Sequence, residues 1–377
     1  MFLDLEAFKD ARRCHPQLSR MAGRLKPDPS RGSICLDTSP QNPTADLILL
    51  LTPMNSLQLI KKRLKRLRKL GFLYVETLKD SRRFFLSGNA LADGTFDEAI
   101  LEGEIVRNYH VIEKGLSMPE FRPGFGGDQV SHLVRIVQEW ERREYPADNN
   151  QYLSAKAVLV AYRSRHEAIA HSAAERVPAT LEIQDCFSGG IKQYLPASLA
   201  DLDAFARTVR SRSSVRSFIP DQQPDPEVIN LAIDDARWSP SVCNRQTARV
   251  HLYTGTRATE LLKYQSGNRG FGHRVPLLII VTSDLRYFSG INERYQGWID
   301  GGMFSMLLLL GLHARGLGAV ALNWSVLNKV DESIREPAGI PQYERIIMMI
   351  ACGIPEPGCV VPVSTRRSVS DLTSWHL

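Results

Sequence analysis

The sequence predicts an α+β fold in its C-terminal part, preceded by a mostly helical region, and three observations carry that expectation. Apolar residues recur at helical spacing in the segments 57–70, 97–115 and 130–140. Further on come two short apolar runs, 277–281 and 346–350, the first of them read as a strand. Between them, the stretch from Trp298 to Gly318 is long, apolar and closed by glycine, as a core helix would be. Composition agrees, since 377 residues, 43% hydrophobic and 23% charged, suit a soluble globular protein with room for two cores.

Residues 1–53 mix Arg, Pro and Ser around one short apolar run, 47–51, without a period that would build an element. Met54 stands directly before the first helical pattern. The expectation is that the working polypeptide starts at or near Met54, with 1–53 a flexible tail or an upstream extension of the reading frame. No secretory signal pattern is evident. The helix 57–70 then sets Leu57, Ile60, Leu64 and Leu67 beneath a basic face built from Lys61, Lys62, Arg63, Lys65, Arg66, Arg68 and Lys69. Such a helix suits the surface of an anionic membrane, and it equally suits a solvated helix of a domain. No aromatic residues interleave with the charges, which argues against nucleic acid. The expected location is cytoplasmic, with peripheral contact at the inner face of the membrane through residues 61–69 as an option.

The expected divisions are 1–53, a mostly helical region 54–200 and a domain 201–377. Within the helical region, Arg107, His110 and Lys114 share one face with Glu104 nearby. That face could grip an anion or hold a titrating histidine, but surface ion pairs or a domain contact are the commoner use of the pattern. Gly115 is expected to stop the helix. The loop 116–127 carries Phe121 and Phe125 among prolines and glycines. It should be ordered, its rings buried against the neighbouring domain or at the mouth of a pocket.

Several chemistries find no support. The six cysteines, Cys14, Cys35, Cys186, Cys243, Cys352 and Cys359, show neither a Cys-x-x-Cys spacing nor companion histidines, so no zinc or redox motif is expected and a reducing cytosol fits. The longest apolar stretch, 303–312, is too short to span a bilayer and reads as a buried helix. No Ser/His/Asp order, P-loop or metal-ligand cluster is present.

Two segments do carry chemistry. In the run from Arg212 to Phe218, Arg212 and Arg216 stand four apart with Ser213 and Ser214 between them, a set suited to phosphate or polyol oxygens. Ser239, Pro240 and Ser241 then break a helix, and Asn244 and Gln246 follow with amides that can pair with the polar edge of a ring.

The order of blocks then matters. The Arg212 run is followed by Pro226-Glu227-Val228-Ile229 opening a helix, the Pro-Ser and Asn-Arg-Gln loop, the strand 277–281, and the helix from Trp298-Ile299-Asp300-Gly301-Gly302 to Gly316-Leu317-Gly318. Ile340-Pro341, the run 346–350 and Gly353-Ile354-Pro355 complete it. In this order residues 205–377 resemble the nitroreductase family, FMN-dependent α+β oxidoreductases that include the iodotyrosine deiodinase and thiazoline oxidase branches. The resemblance implies a central mixed sheet flanked by helices. It also implies a homodimer that approaches closely at Gly301-Gly302 and builds each FMN site from both subunits.

The same resemblance distributes roles. It places Arg212, Ser213, Ser214 and Arg216 on FMN, with Arg212 toward the phosphate and Arg216 toward the N1/O2 edge, where positive charge favours reduction. Ser241, Asn244 and Gln246 would meet the ring, Asn244 on its pyrimidine side, and Arg366 or Arg367 would close over the phosphate. Asn323, Trp324 and Ser325 stand where relatives carry a glycine-containing turn facing N5, and the tryptophan is expected to narrow the space above the ring. Arg286, Tyr287, Phe288, Arg294, Tyr295 and Trp298 suit a flat or anionic substrate over the flavin, and equally the ordinary packing of an exposed helix pair. The implied activity is a ping-pong reduction of a small organic substrate with NADH or NADPH as reductant. The helix 97–115 and its loop are similar to the extension of nitroreductase-like proteins from bacterial surface polysaccharide clusters. The different-class alternative is a non-catalytic adaptor of the same fold at the membrane.

Overall fold

The computed structural model describes residues 56–88, 97–183, 190–194 and 196–376. The Met54 start, the readings on 1–53, the Leu57 side chain and Cys14, Cys35 and Cys186 lie outside the described residues. The chain divides into two compact units, 1–66 and 67–377. Of the first, only the opening of helix α1 (Ser56–Ser87) is described, with Ile60 and Leu64 exposed among the basic residues.

From Glu76 onward α1 has a docked face, because Glu76, Asp80, Arg83 and Phe84 recur at spacings of three and four. Glu76 accepts the backbone N–H of Asn328 at 2.7 Å, and Arg345 donates to the Asp80 carbonyl at 3.0 Å. Arg83 pairs with Asp331 at 2.6 Å, and the Phe84 ring packs against Phe288.

Three helices follow. They are α2 (Glu98–Leu116), capped by Asp97, α3 (Gly127–Arg142), and α4 (Asn150–Glu167), capped by Asn149. They share a core that includes Ile105, Tyr109, Ile112, Leu133, Trp140 and Tyr162. Phe121 and Phe125 pack against this core, and Phe125 also lines a cleft of ≈ 480 Å³ at the end of α2. The helix α2 ends at Leu116, one residue past the stop expected at Gly115. A Cβ on Gly115 would stand 1.9 Å from the Phe125 ring, so the glycine serves the close approach of the loop. Arg107 pairs with Glu104, and His110 Nδ1 lies 3.4 Å from Glu113. Arg107 and His110 of the shared face thus each have a carboxylate neighbour on their own helix.

The C-terminal region opens with α5 (Leu199–Ser211), held by a Ser198–Asp201 capping box, and α6 (Pro226–Ala236), with Asp225 as cap and proline in the first turn. Four strands, β1 (Ala248–Thr254), β2 (Leu277–Asp284), β3 (Gly318–Asn323) and β4 (Glu344–Gly353), form one sheet in the order β1-β2-β4-β3. Every pairing of these strands is antiparallel, with Ile279 opposite Ile350 and Val320 opposite Ala351. The parallel component of the expected mixed sheet is the bridge between Ser214 and Ala319.

Side chains alternate across the sheet and build a core on each face. On one face Leu278 and Ile280 join α7 (Gly255–Leu262) and α9 (Asn328–Ala338), through Leu261 and Ile334 among others. On the other, Leu277, Ile279 and Val281 meet α6 and α8 (Gln296–Ala314), through Ala232, Phe304 and Leu308. Both faces of β2 are therefore covered, and all eight of its residues are buried. Helix α8 and the turn before it are long and apolar enough to cross a membrane by length and composition, and half of that window is buried. A Cβ on Gly301 would lie 2.7 Å from Ile347, so this glycine brings α8 onto the sheet, while the surroundings of Gly302 are open.

Candidate functional site

The segment after α5 is extended and bound to the sheet. Val215 N–H donates to Ala319 O at 3.1 Å and Ile219 N–H to Ile354 O at 2.9 Å, and the Phe218 ring is fully buried. Those contacts fix Arg212, Ser213 and Ser214 at the start of β3, where the C-terminal tail returns across them. The result is a cleft of ≈ 420 Å³ lined by Arg210, Arg212, Ser213, Ser214, Ser364 and Arg366, with three apolar side chains. Three arginines line one cleft whose lining has no carboxylate, a residue set that fits the dianionic phosphate of a nucleotide such as FMN. Burial, and then the Arg212 charge, hold the nearby His313 imidazole below its usual value, and its Nε2 lies 2.8 Å from Ser211 Oγ. Arg216 is exposed outside that lining, where its guanidinium donates to Ser214 O at 3.3 Å. Arg367 is exposed next to Arg366.

The loop after α6 is the second element. Cys243, Asn244 and Gln246 have φ of 49°, 56° and 51°. Asparagine tolerates this left-handed region, whereas cysteine and glutamine are strained there by about 1–3 kcal/mol each. The shape is imposed from several sides. Asp300 on α8 accepts the Val242 N–H at 3.0 Å, and Ser241 Oγ accepts the Gln246 N–H at 3.0 Å. Arg245, almost fully buried, pairs with Glu293 at 2.6 Å. Asn244 Nδ2 donates to Tyr109 Oη on α2 at 3.4 Å. Ser241, Gln246 and Asp300 line a smaller cleft of ≈ 190 Å³ with Ser239. Burial pushes the Asp300 carboxyl above its usual range, against the Val242 N–H and the Arg245 charge.

Asn323 and Ser325 are exposed at the end of β3, and Ser325 N–H donates to Asn323 Oδ1 at 3.2 Å. The expectation that Trp324 narrows a space above the ring is corrected. Its indole is buried in the core and donates to Asp331 at 2.9 Å, because α9 offers a carboxylate there. The readings of Arg286, Tyr287 and Phe288 as substrate contacts are corrected as well. Arg286 is bidentate to Asp284 and lies 3.7 Å from the Tyr343 ring centroid, Tyr287 donates to Glu102 at 2.8 Å, and Phe288 is fully buried. Tyr295 and Trp298 are exposed, and the Arg294 guanidinium covers Tyr295.

Sequence reasoning missed Arg210, Asp300 and Tyr109. For Arg210 a signal existed, since it precedes Arg212 by two residues at the end of a helix. Asp300 was seen as part of a block and given no role. Tyr109 lies 135 residues from the Asn244 it meets, and no local pattern announces such a pairing.

Residues 209–267 and 254–354 match the model of the nitroreductase family. The C-terminal region is a nitroreductase-family domain. The helical segments before it lie outside the match. Among solved structures, a Desulfovibrio desulfuricans protein named as a nitroreductase and solved with FMN is 21% identical, with 46% of this chain and 96% of that chain covered and a TM-score of 0.40. A nitroreductase-family protein from Streptococcus pneumoniae is 20% identical, over 46% of this chain and all of its own, at a TM-score of 0.40. A Lactococcus lactis nitroreductase in complex with nicotinic acid is 18% identical over 46% of this chain and all of its own, at 0.39. No curated protein matches the chain. Within the nitroreductase domain, the three-arginine cleft and the strained loop are places where polar groups line a cleft.

Proposed function

We propose that the protein is an FMN-dependent oxidoreductase that takes hydride from NADH or NADPH and reduces a small organic substrate by a ping-pong mechanism. The observation that carries the reading is the cleft with Arg210, Arg212 and Arg366, free of carboxylates, inside a nitroreductase-family domain. Bound there, FMN would supply a ring that accepts a hydride and passes the electrons on. Arg210, Arg212 and Arg366 with the Ser213 and Ser214 hydroxyls would hold the phosphate. Arg216 would place positive charge at the ring edge, and Ser241, Asn244 and Gln246 would supply its hydrogen-bonding partners.

We also propose a homodimer. The basic cleft and the 239–246 loop form separate clefts on one chain. A symmetric pair would let the loop of one subunit complete the cleft of its partner. Support for a setting in surface polysaccharide metabolism comes from the resemblance of the helical region alone. The second reading, a non-catalytic adaptor at an anionic membrane, is favoured by the exposed apolar and basic residues of α1.

The deciding experiment is an absorbance spectrum of the purified protein, followed by heat release of any chromophore. FMN near one per subunit, lost when Arg212 and Arg366 are replaced by alanine, supports the enzyme. A colourless protein that takes up no added FMN overturns it in favour of the adaptor.

A further inference from the structure

We infer that the helical region supplies a positioning residue to the candidate flavin site: Tyr109 on α2 fixes which way the Asn244 amide presents its donor and its acceptor. The inference rests on the FMN reading and deepens it. Tyr109 is 2% exposed, and its hydroxyl donates to Gln151 Oε1 on α4 at 2.6 Å. With the proton committed to Gln151, an oxygen lone pair faces Asn244 Nδ2 at 3.4 Å. Gln246 Nε2 meanwhile lies 3.3 Å from both Asn244 O and Asn244 Oδ1. The amide nitrogen is thus assigned to Tyr109 and the amide oxygen to Gln246.

Orientation matters because the two ends of an amide are nearly the same shape and opposite in function. A flipped Asn244 would turn an acceptor toward Tyr109 and exchange donor for acceptor on the side open to a ligand. Packing alone does not prevent that exchange. The relay does, because Tyr109 has a single proton and Gln151 takes it. Burial pushes the phenol well above its usual value, so the proton stays in place across the range in which the protein would be assayed. The backbone of Gln151 is held in the first turn of α4, where its N–H donates to the Asn149 side chain at 2.8 Å, and its side-chain oxygen is the end that meets the Tyr109 hydroxyl. The remaining requirement of the core at Tyr109 is an aromatic ring packed among Ile105, Ile112 and their neighbours, which phenylalanine would satisfy as well. The hydroxyl is the part of this side chain that the loop uses.

The test is a double-mutant cycle on the full-length protein with FMN binding as readout. Tyr109→Phe keeps the ring and removes the hydroxyl, and Gln151→Leu leaves the hydroxyl in place without its acceptor. Both should weaken FMN binding by about three- to tenfold and alter the visible circular dichroism of the bound flavin. In an Asn244→Ala background, Tyr109→Phe should have little further effect on FMN affinity. Full additivity of the two substitutions, or unchanged affinity and spectrum in both single variants alongside a lowered melting temperature, overturns the inference and leaves Tyr109 a core residue. Failure of the unmodified protein to bind FMN is a separate result. It overturns the proposed function and the inference with it.

Discussion

Asp331 is the point at which the docked half of α1, helix α9 and the strand leading into Trp324 meet. Its carboxylate receives Arg83 at 2.6 Å, Arg335 through Nε at 3.0 Å and Nη2 at 2.8 Å, and the Trp324 indole at 2.9 Å. Burial pushes the carboxyl up, and the Arg335 and Arg83 charges and the indole outweigh it and hold it below the usual value. Asp331→Ala leaves the buried Arg335 and the partly buried Arg83 without their shared counter-charge. Breaking a buried pair in this way costs about 3–5 kcal/mol, which in a domain of this size is roughly 6–20 °C in melting temperature. A group with a depressed folded value contributes stability that is present above its unfolded value and lost as pH falls through the folded one. The difference between the protein and its Asp331→Ala variant should therefore be full at pH 7 and shrink below about pH 4. Urea unfolding followed by tryptophan fluorescence at both pH values reads this out. A loss below about 1 kcal/mol, in the range of an exposed pair, or a difference that does not change in acid, would refute the account of Asp331 as a buried counter-charge.

Three further outcomes follow from the same geometry. Asp300→Asn keeps an oxygen for the Val242 N–H and removes a carboxyl whose value burial raises; such a group favours the fold below its unfolded value and loses that contribution as pH rises. The variant should therefore gain on the parent protein between pH 4 and pH 7 in denaturant unfolding, and a constant difference would contradict the burial argument. Gly115→Ala should lower stability by about 1–3 kcal/mol from overpacking against Phe125, although alanine is the better helix former by about 1 kcal/mol, and Phe125→Leu should restore much of the loss. If residues 61–69 contact anionic lipid, the full-length protein should sediment with vesicles containing phosphatidylserine, release as salt rises, and ignore phosphatidylcholine vesicles; equal binding to both would count against the contact.

Strand β2 is legible because it is covered on both faces and is therefore apolar without interruption over 277–281, whereas β1 and β3 carry no such run of Leu, Ile and Val. The loop at 239–246 was legible for its amides, which stand out beside a proline. Its backbone shape was not, because no glycine marks the left-handed positions at Cys243 and Gln246 and the strain is met by tertiary contacts from α8 and Glu293. Gly115 was read as punctuation, since local sequence cannot reveal a ring that arrives from residue 125. Trp324, Arg286 and Tyr287 look like site residues in the sequence for the same kind of reason: their partners Asp331, Tyr343 and Glu102 are brought to them only by the assembled fold. The three-arginine cleft was half legible. Arg212 and Arg366 were each named, yet that the tail returns across the end of α5 and adds Arg210 is a matter of topology.

The loop carrying Asn244 owes its shape to contacts from three other parts of the chain. A ligand reaching it would find the polar groups already aimed and would not have to order the backbone, whose immobilisation is among the larger costs of association. Binding should then be accompanied by a small heat-capacity change, set by the surface the ligand itself covers rather than by coupled folding. Substitutions that loosen the anchors at Asp300, Glu293 or Tyr109 should weaken binding by the cost of ordering the loop, read mainly as a shorter lifetime of the complex.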